Sequence, residues 1–552
     1  MLAHRQTTRR QFLHDAALTT AALSASGLLA ACGNSTGTGS LPAPPALKRD
    51  RLTLVYAVDN FTPDFDPASY YVNSPAHLTR SMYEGLLTMK PGSAMETRPA
   101  LATAYQPNSD FTSWTFKIRQ GVTFWDGTPL GAAAIKAAYV RSIHLTLGAG
   151  TVIGTFVADP EKQVVVVDPM TLRFDLGQPV SYFDRVVACT WGTGVVSPKV
   201  QDHSTGSSDQ GHEWLQANEA GTGPYMLQSV EPGNQAVLVQ NPHYWGGWKA
   251  GQFKKIIIQQ IPDGAARRGA LESGAIDMAV NSTNPQDTAA LARDKRFNVA
   301  NKLAMWMHYI ALGSYGPLEK PEARQAVNYL YPGKAYVSSI MKNTVAQARG
   351  CFPELLQTHD PNAYVFPTDI AKAKQLFARA GVAPGTEFTL EFFTGDANLL
   401  GAVMQVQFQR AGMTLRLLEK AFPAFNADQT TFRPVSQRPN MLFFSWYPDY
   451  NQPADYLYPI MSSAAAPPNG YNSGYYHNPT VDKAINDGYF EPDSKKLAAT
   501  FRQVQDILNK QDPVWVPIDQ AYDNTYTRND IGSFVPNPLT GGVVDLYPLR
   551  RI

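Results

Sequence analysis

Between Phe388 and Leu418 the chain alternates its local character in a way that few architectures accommodate. Phe388-Thr389-Leu390-Glu391-Phe392 reads as a strand, about Asn398 to Ala411 as a helix, and Thr414 to Leu418 as a second strand. Strand, helix, strand implies a parallel pair with a helical crossover, and hence an α/β lobe. Just upstream, Thr368 or Asp369 is placed to cap a helix. That helix carries Ile370, Ala373, Leu376, Phe377 and Ala380 on one face and ends at Gly381. At 552 residues the chain is too long for one ordinary core, so two or three domains are expected.

The rest of the chain supplies the other layers. Leu52 to Val58 has strand character, and Asp64-Phe65-Asp66-Pro67 breaks it. A helix is expected from about Pro75 through Leu86. Trp114, Phe116 and Ile118 alternate with polar residues as in a half-buried strand. A turn at Asp126-Gly127 and a helix start near Thr128-Pro129 follow. Val164 to Val167 and alternating Leu172, Phe174 and Leu176 form an expected hairpin. Lys254 to Ile261 reads as a strand, Arg267 to Ile276 as a helix ending near Gly274, Leu497 to Leu508 as a helix, and Val514 to Ile518 as a returning strand.

Charge excludes one class of partner. Lys+Arg 47 against Asp+Glu 46 leaves a net charge of +1 without a long basic run, which argues against nucleic acid. The N-terminus argues for export. Thr8-Arg9-Arg10-Gln11-Phe12-Leu13 carries the twin arginine and hydrophobic pair of a Tat signal, and the apolar run from Ala16 to Ala31 is too short and too rich in Thr and Ser to span a membrane. Leu29-Ala30-Ala31-Cys32-Gly33 resembles a bacterial lipobox, with Cys32 as the lipidated first residue of the mature protein. Residues 1–31 are thus a signal peptide and 32–49, rich in Gly, Ser, Thr and Pro, a tether. Cys189 and Cys351 could pair outside the cell or remain buried thiols; the sequence leaves both open.

Motifs for catalysis and metal binding fail on spacing. His212-Glu213-Trp214-Leu215-Gln216 begins like a zinc-peptidase helix, but Gln216 stands where the second histidine is needed. Gly148-x-Gly150-x-x-x-Gly154 has the wrong spacing for a dinucleotide loop, and neither a nucleophile-elbow nor a phosphate-loop pattern occurs. No cofactor, metal or catalytic residue is therefore expected, and a secreted hydrolase or peptidase is the disfavoured rival.

A different stretch carries binding chemistry. After the apolar run Met441-Leu442-Phe443-Phe444, a buried strand, the chain reads Ser445-Trp446-Tyr447-Pro448-Asp449-Tyr450-Asn451-Gln452-Pro453. One carboxylate stands among aromatic residues, which suits a cationic head because such walls exclude water and strengthen the charge contact. Taken alone, Asp449 also fits a turn residue bonding its own backbone.

Trp446-x-x-Asp449-Tyr450-Asn451-x-Pro453, with Asp455 and Asn478-Pro479-x-x-Asp482 after it, resembles the ligand loop of the oligopeptide- and dipeptide-binding proteins of ABC importers. Trp114-Thr115-Phe116-Lys117-x-Arg119 followed by Gly121-Val122-x-Phe124-x-Asp126-Gly127-x-Pro129-Leu130 resembles the signature of the peptide- and nickel-type solute-binding proteins. Met82-Tyr83-Glu84-Gly85-Leu86-Leu87 and Gly221-Thr222-Gly223-Pro224-Tyr225 repeat further patterns of that family. The resemblance runs from about Leu52 to Pro548.

It implies an α/β fold of the two-lobed periplasmic-binding-protein (Venus flytrap) type with an additional inserted domain. Lobe I is expected in residues 50–93 with 218–305 and 515–552, the inserted domain in 94–217, and lobe III in 306–514. By resemblance Asp449 receives a peptide's α-ammonium, Trp446 and Tyr447 wall the first side-chain pocket, and the backbone of Ser445 and Tyr447, like that of Tyr71, Val72 and Asn73, pairs with the peptide. The implied protein is a monomeric lipoprotein on the outer face of the cytoplasmic membrane. It would pass peptide to an ABC permease and its ATPase subunits.

Two departures bear on the ligand. Oligopeptide binders carry an arginine where this chain has Phe443, and dipeptide binders carry one at the start of the helix that here begins Asn398-Leu399-Leu400. Peptide length is thus open, and an amine-bearing compound, an oligosaccharide or a nickel or other metal chelate are alternatives. Tyr329-Leu330-Tyr331-Pro332-Gly333-Lys334 also replaces a family segment, so no contact is carried over there.

Overall fold

The computed structural model describes residues 50–71, 73–280, 285–393 and 398–552. Its centre is an eleven-stranded mixed sheet. From one edge the strands run Thr414–Lys420, Glu387–Phe393, Met441–Trp446, Phe297–Leu312, Trp515–Arg528, Met278–Ala279, Thr53–Val58, Lys255–Gln260, Gln235–Gln240 and Tyr225–Glu231, and Val345–Gln347 pairs Trp515–Arg528 off this path. Glu387–Phe393 and Thr414–Lys420 pair in parallel, joined by the Asn398–Arg410 helix. Thr53–Val58 is buried at every position and lies parallel to Lys255–Gln260, as expected of a strand covered on both faces.

Two long strands tie the halves of the sheet together. Phe297–Leu312 has sixteen residues and Trp515–Arg528 fourteen, and they pair antiparallel with a register shift between Leu303 and Met307. The returning strand thus continues ten residues beyond the expected Ile518, because both of its flanks find partners. On one face Tyr309, Phe444 and Trp515 join a core with Tyr456 and Phe501; on the other Ile310, Phe443 and Val516 pack with Ala326, Phe377 and Met404 of three helices.

A separate four-stranded sheet, in the order Ala102–Pro107, Ser113–Ile118, Thr171–Asp175 and Val164–Asp168, includes the expected hairpin. Tyr139 of the Ala132–Leu145 helix meets Phe174 edge-on at 5.2 Å beneath it. Caps follow the sequence reading. Asp369 accepts from the Lys372 N–H at 2.8 Å, and Gly381, at φ 82°, closes the helix in a conformation that favours glycine.

Several boundaries differ from expectation, each for a local reason. The helix expected through Leu86 is Asn73–Met82. The chain leaves it so that Glu84 can accept from Tyr244 and Trp245 at 2.9 Å and from Thr222 at 3.0 Å. The helix expected near Thr128 begins at Ala132, since the Asp126 turn holds Thr128 N–H at 2.8 Å and Leu130 N–H returns to Val122. Asp263 caps the next helix, Gly264–Ser273, earlier than Arg267. His212, which opens the near-miss zinc motif, instead lies 2.9 Å from the Asp66 carboxylate, and Arg141 grips that same carboxylate with two hydrogen bonds. Cys189 and Cys351 are both buried free thiols.

Candidate ligand site

The Met441–Trp446 strand ends where its apolar run ends, and the loop after it is fixed from three directions. Asp455, in the first turn of the Pro453–Met461 helix, accepts from the Asp449 N–H at 2.9 Å and the Tyr450 N–H at 3.4 Å. Asn451 is fully buried and bonds both the Leu355 carbonyl and the Gln357 N–H. From beside the smaller sheet, Arg185 donates to the Asn451 carbonyl at 2.6 Å and Tyr182 stacks on Tyr450 at 5.7 Å. The loop is thereby held in place by elements on several sides of it.

Asp449 is 9% exposed, and the Tyr71 hydroxyl donates to its Oδ2 at 2.6 Å. Tyr71 precedes the Asn73–Met82 helix that follows Thr53–Val58, so the contact joins opposite halves of the large sheet. Rings surround it. Tyr71 packs on Trp191 and Trp446, Tyr447 lies between Trp191 and Trp306, and Trp446 packs on Tyr471 at 5.5 Å. The indole Nε1 groups of Trp446 and Trp306 are both buried without an acceptor. Buried donors are normally satisfied, so both indoles stand out; in the strand register Trp446 lies opposite Met307, and Trp306 belongs to the other face.

The electrostatics follow from this enclosure. Burial pushes the Asp449 carboxyl up from its ordinary 3.8 to about 7, and the Tyr71 hydrogen bond opposes that shift. Asp455 is raised well above its ordinary range by burial and then by the nearby Asp449 charge. Burial and Asp449 also raise the Tyr71 phenol, which therefore remains a donor. Removing water from carboxylates is costly unless a cation meets them, so the site is built to gain from a cationic guest. Among the described residues no group of three His, Cys, Asp or Glu side chains could hold a metal ion.

The fold thus brings together Ser445, Trp446, Tyr447, Asp449 and Tyr71. Ser445 lies opposite His308 in the strand register. Asn73 is the first residue of a helix rather than an extended residue, and its side chain, like Val72 and Cys32, lies outside the described part. Trp191, Trp306, His308 and Tyr471 were not singled out from sequence. Trp306 and His308 stand at alternate positions of a strand, which marks a shared face but not what that face adjoins.

Comparisons with known proteins agree with this architecture. The family of bacterial extracellular solute-binding proteins, family 5 Middle, matches residues 96–468. The probable D,D-dipeptide-binding periplasmic protein DdpA of Escherichia coli (strain K12) is 27% identical over 517 residues, spanning 92% of this chain and 96% of that protein. The glutathione-binding protein GsiB of Salmonella typhi is 26% identical over 535 residues, spanning 95% and 98%. In structure, DppA from Helicobacter pylori in complex with the peptide STSA superimposes with a TM-score of 0.79 at 20% identity, covering 90% of this chain and 98% of that one. NikZ from Campylobacter jejuni in complex with Ni(L-His) gives 0.79 at 18% identity, covering 91% and 100%. The fold is that of the two-lobed periplasmic binding proteins. By the span of the match and the architecture alike, the chain belongs to the family 5 bacterial extracellular solute-binding proteins.

Proposed function

We propose that this protein captures peptides between its two lobes and delivers them to the permease of an ABC importer. The observation that carries this reading is Asp449, a buried carboxylate walled by aromatic rings and facing Tyr71 of the opposite half. Its α-ammonium partner would replace the Tyr71 hydroxyl. Trp446 and Tyr447 wall the first side-chain pocket, and the backbone of Ser445, Tyr447, Tyr71, Val72 and Asn73 pairs with the peptide. As the first helical residue, Asn73 has an N–H outside the helix's own bonds and suited to that pairing. Residues 50–93 with 218–305 and 515–552 act as one lobe and 306–514 as the other, with 94–217 inserted. Closure excludes water around the charge pair, and opening on the permease releases it, with energy from a separate ATPase.

The relatives described as dipeptide- and glutathione-binding support the ligand class. The test is incubation with an equimolar dipeptide and tripeptide library, followed by mass spectrometry of what is retained. Intact peptides with free amines are expected; cleavage that follows the folded protein through repurification would establish a peptidase instead.

Cys32 anchors the exported protein through lipid on this reading, supported by the lipobox after the twin-arginine leader. Cys32→Ala should yield an unprocessed or soluble species. Mature Cys32→Ala protein that stays on membranes after a salt wash would refute the anchor.

A further inference from the structure

The described chain begins at Asp50, beside one end of the large sheet. Thr53 and Lys255 open two parallel strands there, and Phe297 and Arg528, the start of one long strand and the close of the other, pair at the same end. Asp277 links the two pairs, donating its N–H to the Val55 carbonyl and accepting from the Arg528 N–H. Arg551 lies across the end, bonded to the Arg51 carbonyl at 3.3 Å and to the Asp530 and Asp277 carboxylates at 3.1 and 3.2 Å. Its neighbour Arg550 bridges to Gln252, which also accepts from the Lys249 N–H. One continuous surface thus joins segments from both ends and the middle of the chain.

The charge of this surface is one-sided. Arg51, Lys249, Lys254, Lys295 and Arg550 are exposed and Lys255 is half-buried, and none of the six forms an ion pair among the described residues. The acids beside them are committed: Asp294 to Arg296, Asp530 to Arg528 and Arg551, and Asp50 to the Leu52 N–H. The chain as a whole carries only +1, so the excess is a local asymmetry and not a general attraction to polyanions. Ile552 stands among these cations, 64% exposed, with its carbonyl bonded to Arg51. Cations around an exposed isoleucine suit a lipid surface, where anionic headgroups overlie an apolar layer. An acidic protein would match the charges and leave the isoleucine without a role.

Position in the chain says which lipid surface is within reach. On the reading of Cys32 as lipidated, residues 32–49 span at most about 60 Å, so the Asp50 end is the part of the body tethered closest to the bilayer. We propose that this basic surface docks on anionic phospholipid headgroups and holds the body in one orientation beside its anchor. The location rests on the anchor reading; the charge contact itself requires no lipid on Cys32. Each lysine or arginine held at an anionic surface strengthens binding by roughly fivefold. A tether keeps the local concentration of that surface high, so a contact of this modest size suffices.

The experiment places the mature protein on vesicles of phosphatidylcholine, alone or with added phosphatidylglycerol, and reads lysine acetylation by mass spectrometry. Acetylation of Lys249, Lys254, Lys255 and Lys295 is expected to fall by roughly fivefold or more on the anionic vesicles and to recover in high salt. Lys162 and Lys483, exposed elsewhere, should label alike on both. Combining Lys254→Gln, Lys255→Gln and Arg550→Gln should abolish the protection of Lys249 and Lys295. Equal labelling of the wild type on the two kinds of vesicle overturns the proposal without requiring any variant to fold. So does protection by polyglutamate but not by anionic vesicles, the result of an acidic protein partner. Sedimentation separates this surface from the anchor. Protein that stays with neutral vesicles carries the lipid, whereas protein that follows only the anionic vesicles and leaves them in salt lacks the anchor and keeps the basic contact.

Discussion

The Tyr71 hydroxyl and the Asp449 carboxylate, 378 residues apart in the chain, form a 2.6 Å hydrogen bond that crosses between the two halves of the molecule. On the proposed reading the phenol holds the place an ammonium would take, and the contact would latch the two halves together in the absence of ligand. Tyr71→Phe removes it while leaving the ring against Trp191 and Trp446. Small-angle scattering should then show a larger unliganded radius of gyration, with the peptide-bound value unchanged. The Asp449 carboxyl should also titrate higher, because the lost bond favoured its charged form. Unchanged scattering and titration would show that Tyr71 contributes no latch.

Asp449→Asn keeps the shape of the side chain and removes its charge. Leaving a ligand ammonium buried and unpaired costs about 2–5 kcal/mol, so affinity for a free-amine peptide should fall by roughly two orders of magnitude or more. N-acetylation of the peptide should cause a comparable loss in wild type and little further loss in the variant. Calorimetry that finds equal affinity for free and acetylated peptide would reduce Asp449 to a turn residue.

The pH dependence has opposite signs with and without ligand. Burial raises the folded Asp449 carboxyl from 3.8 to about 7, so between those values the folded state holds a proton that the unfolded chain has lost. The contribution of Asp449 to unliganded stability is therefore greatest below the unfolded value and declines as pH rises from there to about 7. Asp455, raised in the same direction, adds to the decline. A bound ammonium favours the carboxylate, so peptide affinity should rise with pH up to about 7 and binding below it should release a proton. Urea unfolding across this range, with calorimetry in buffers of different ionisation enthalpy, checks both slopes, and Asp449→Asn should flatten them. A flat wild-type profile would contradict the burial of this carboxyl.

Away from the cleft, Asp66 is fully buried and takes two hydrogen bonds from Arg141 and one contact from His212. Burial raises its carboxyl, and the Arg141 and His212 contacts outweigh that and lower it overall. Its stabilisation is thus present above the ordinary carboxylate range and lost as pH falls through the depressed folded value. Asp66→Ala strands the Arg141 guanidinium and should destabilise by about 3–5 kcal/mol, whereas His212→Ala, at the partly exposed edge, should cost less. Chemical denaturation reads the difference; equal and small effects would place the network among dispensable surface pairs.

What the sequence determined by itself was the local grammar. The parallel unit through 387–420, the Asp369 cap and Gly381 stop, and the strand leading to Asp449 were all legible because helix and strand periods and cap chemistry act within a few residues. The candidate loop around Asp449 was picked out through its resemblance to a family, which names that residue but not its surroundings. Only the tertiary structure decided that Tyr71 meets that carboxylate with its side chain, that Asp66 claims His212, and that Trp306 and His308 share a wall with Tyr447. The Tyr71–Asp449 contact spans the two halves of the sheet that the paired strands Phe297–Leu312 and Trp515–Arg528 tie together, whereas Asp66 and His212 meet within the segment 66–212. Periodicity can place a residue on a face, but what lies opposite that face is set by packing across hundreds of residues, and no local spacing encodes it.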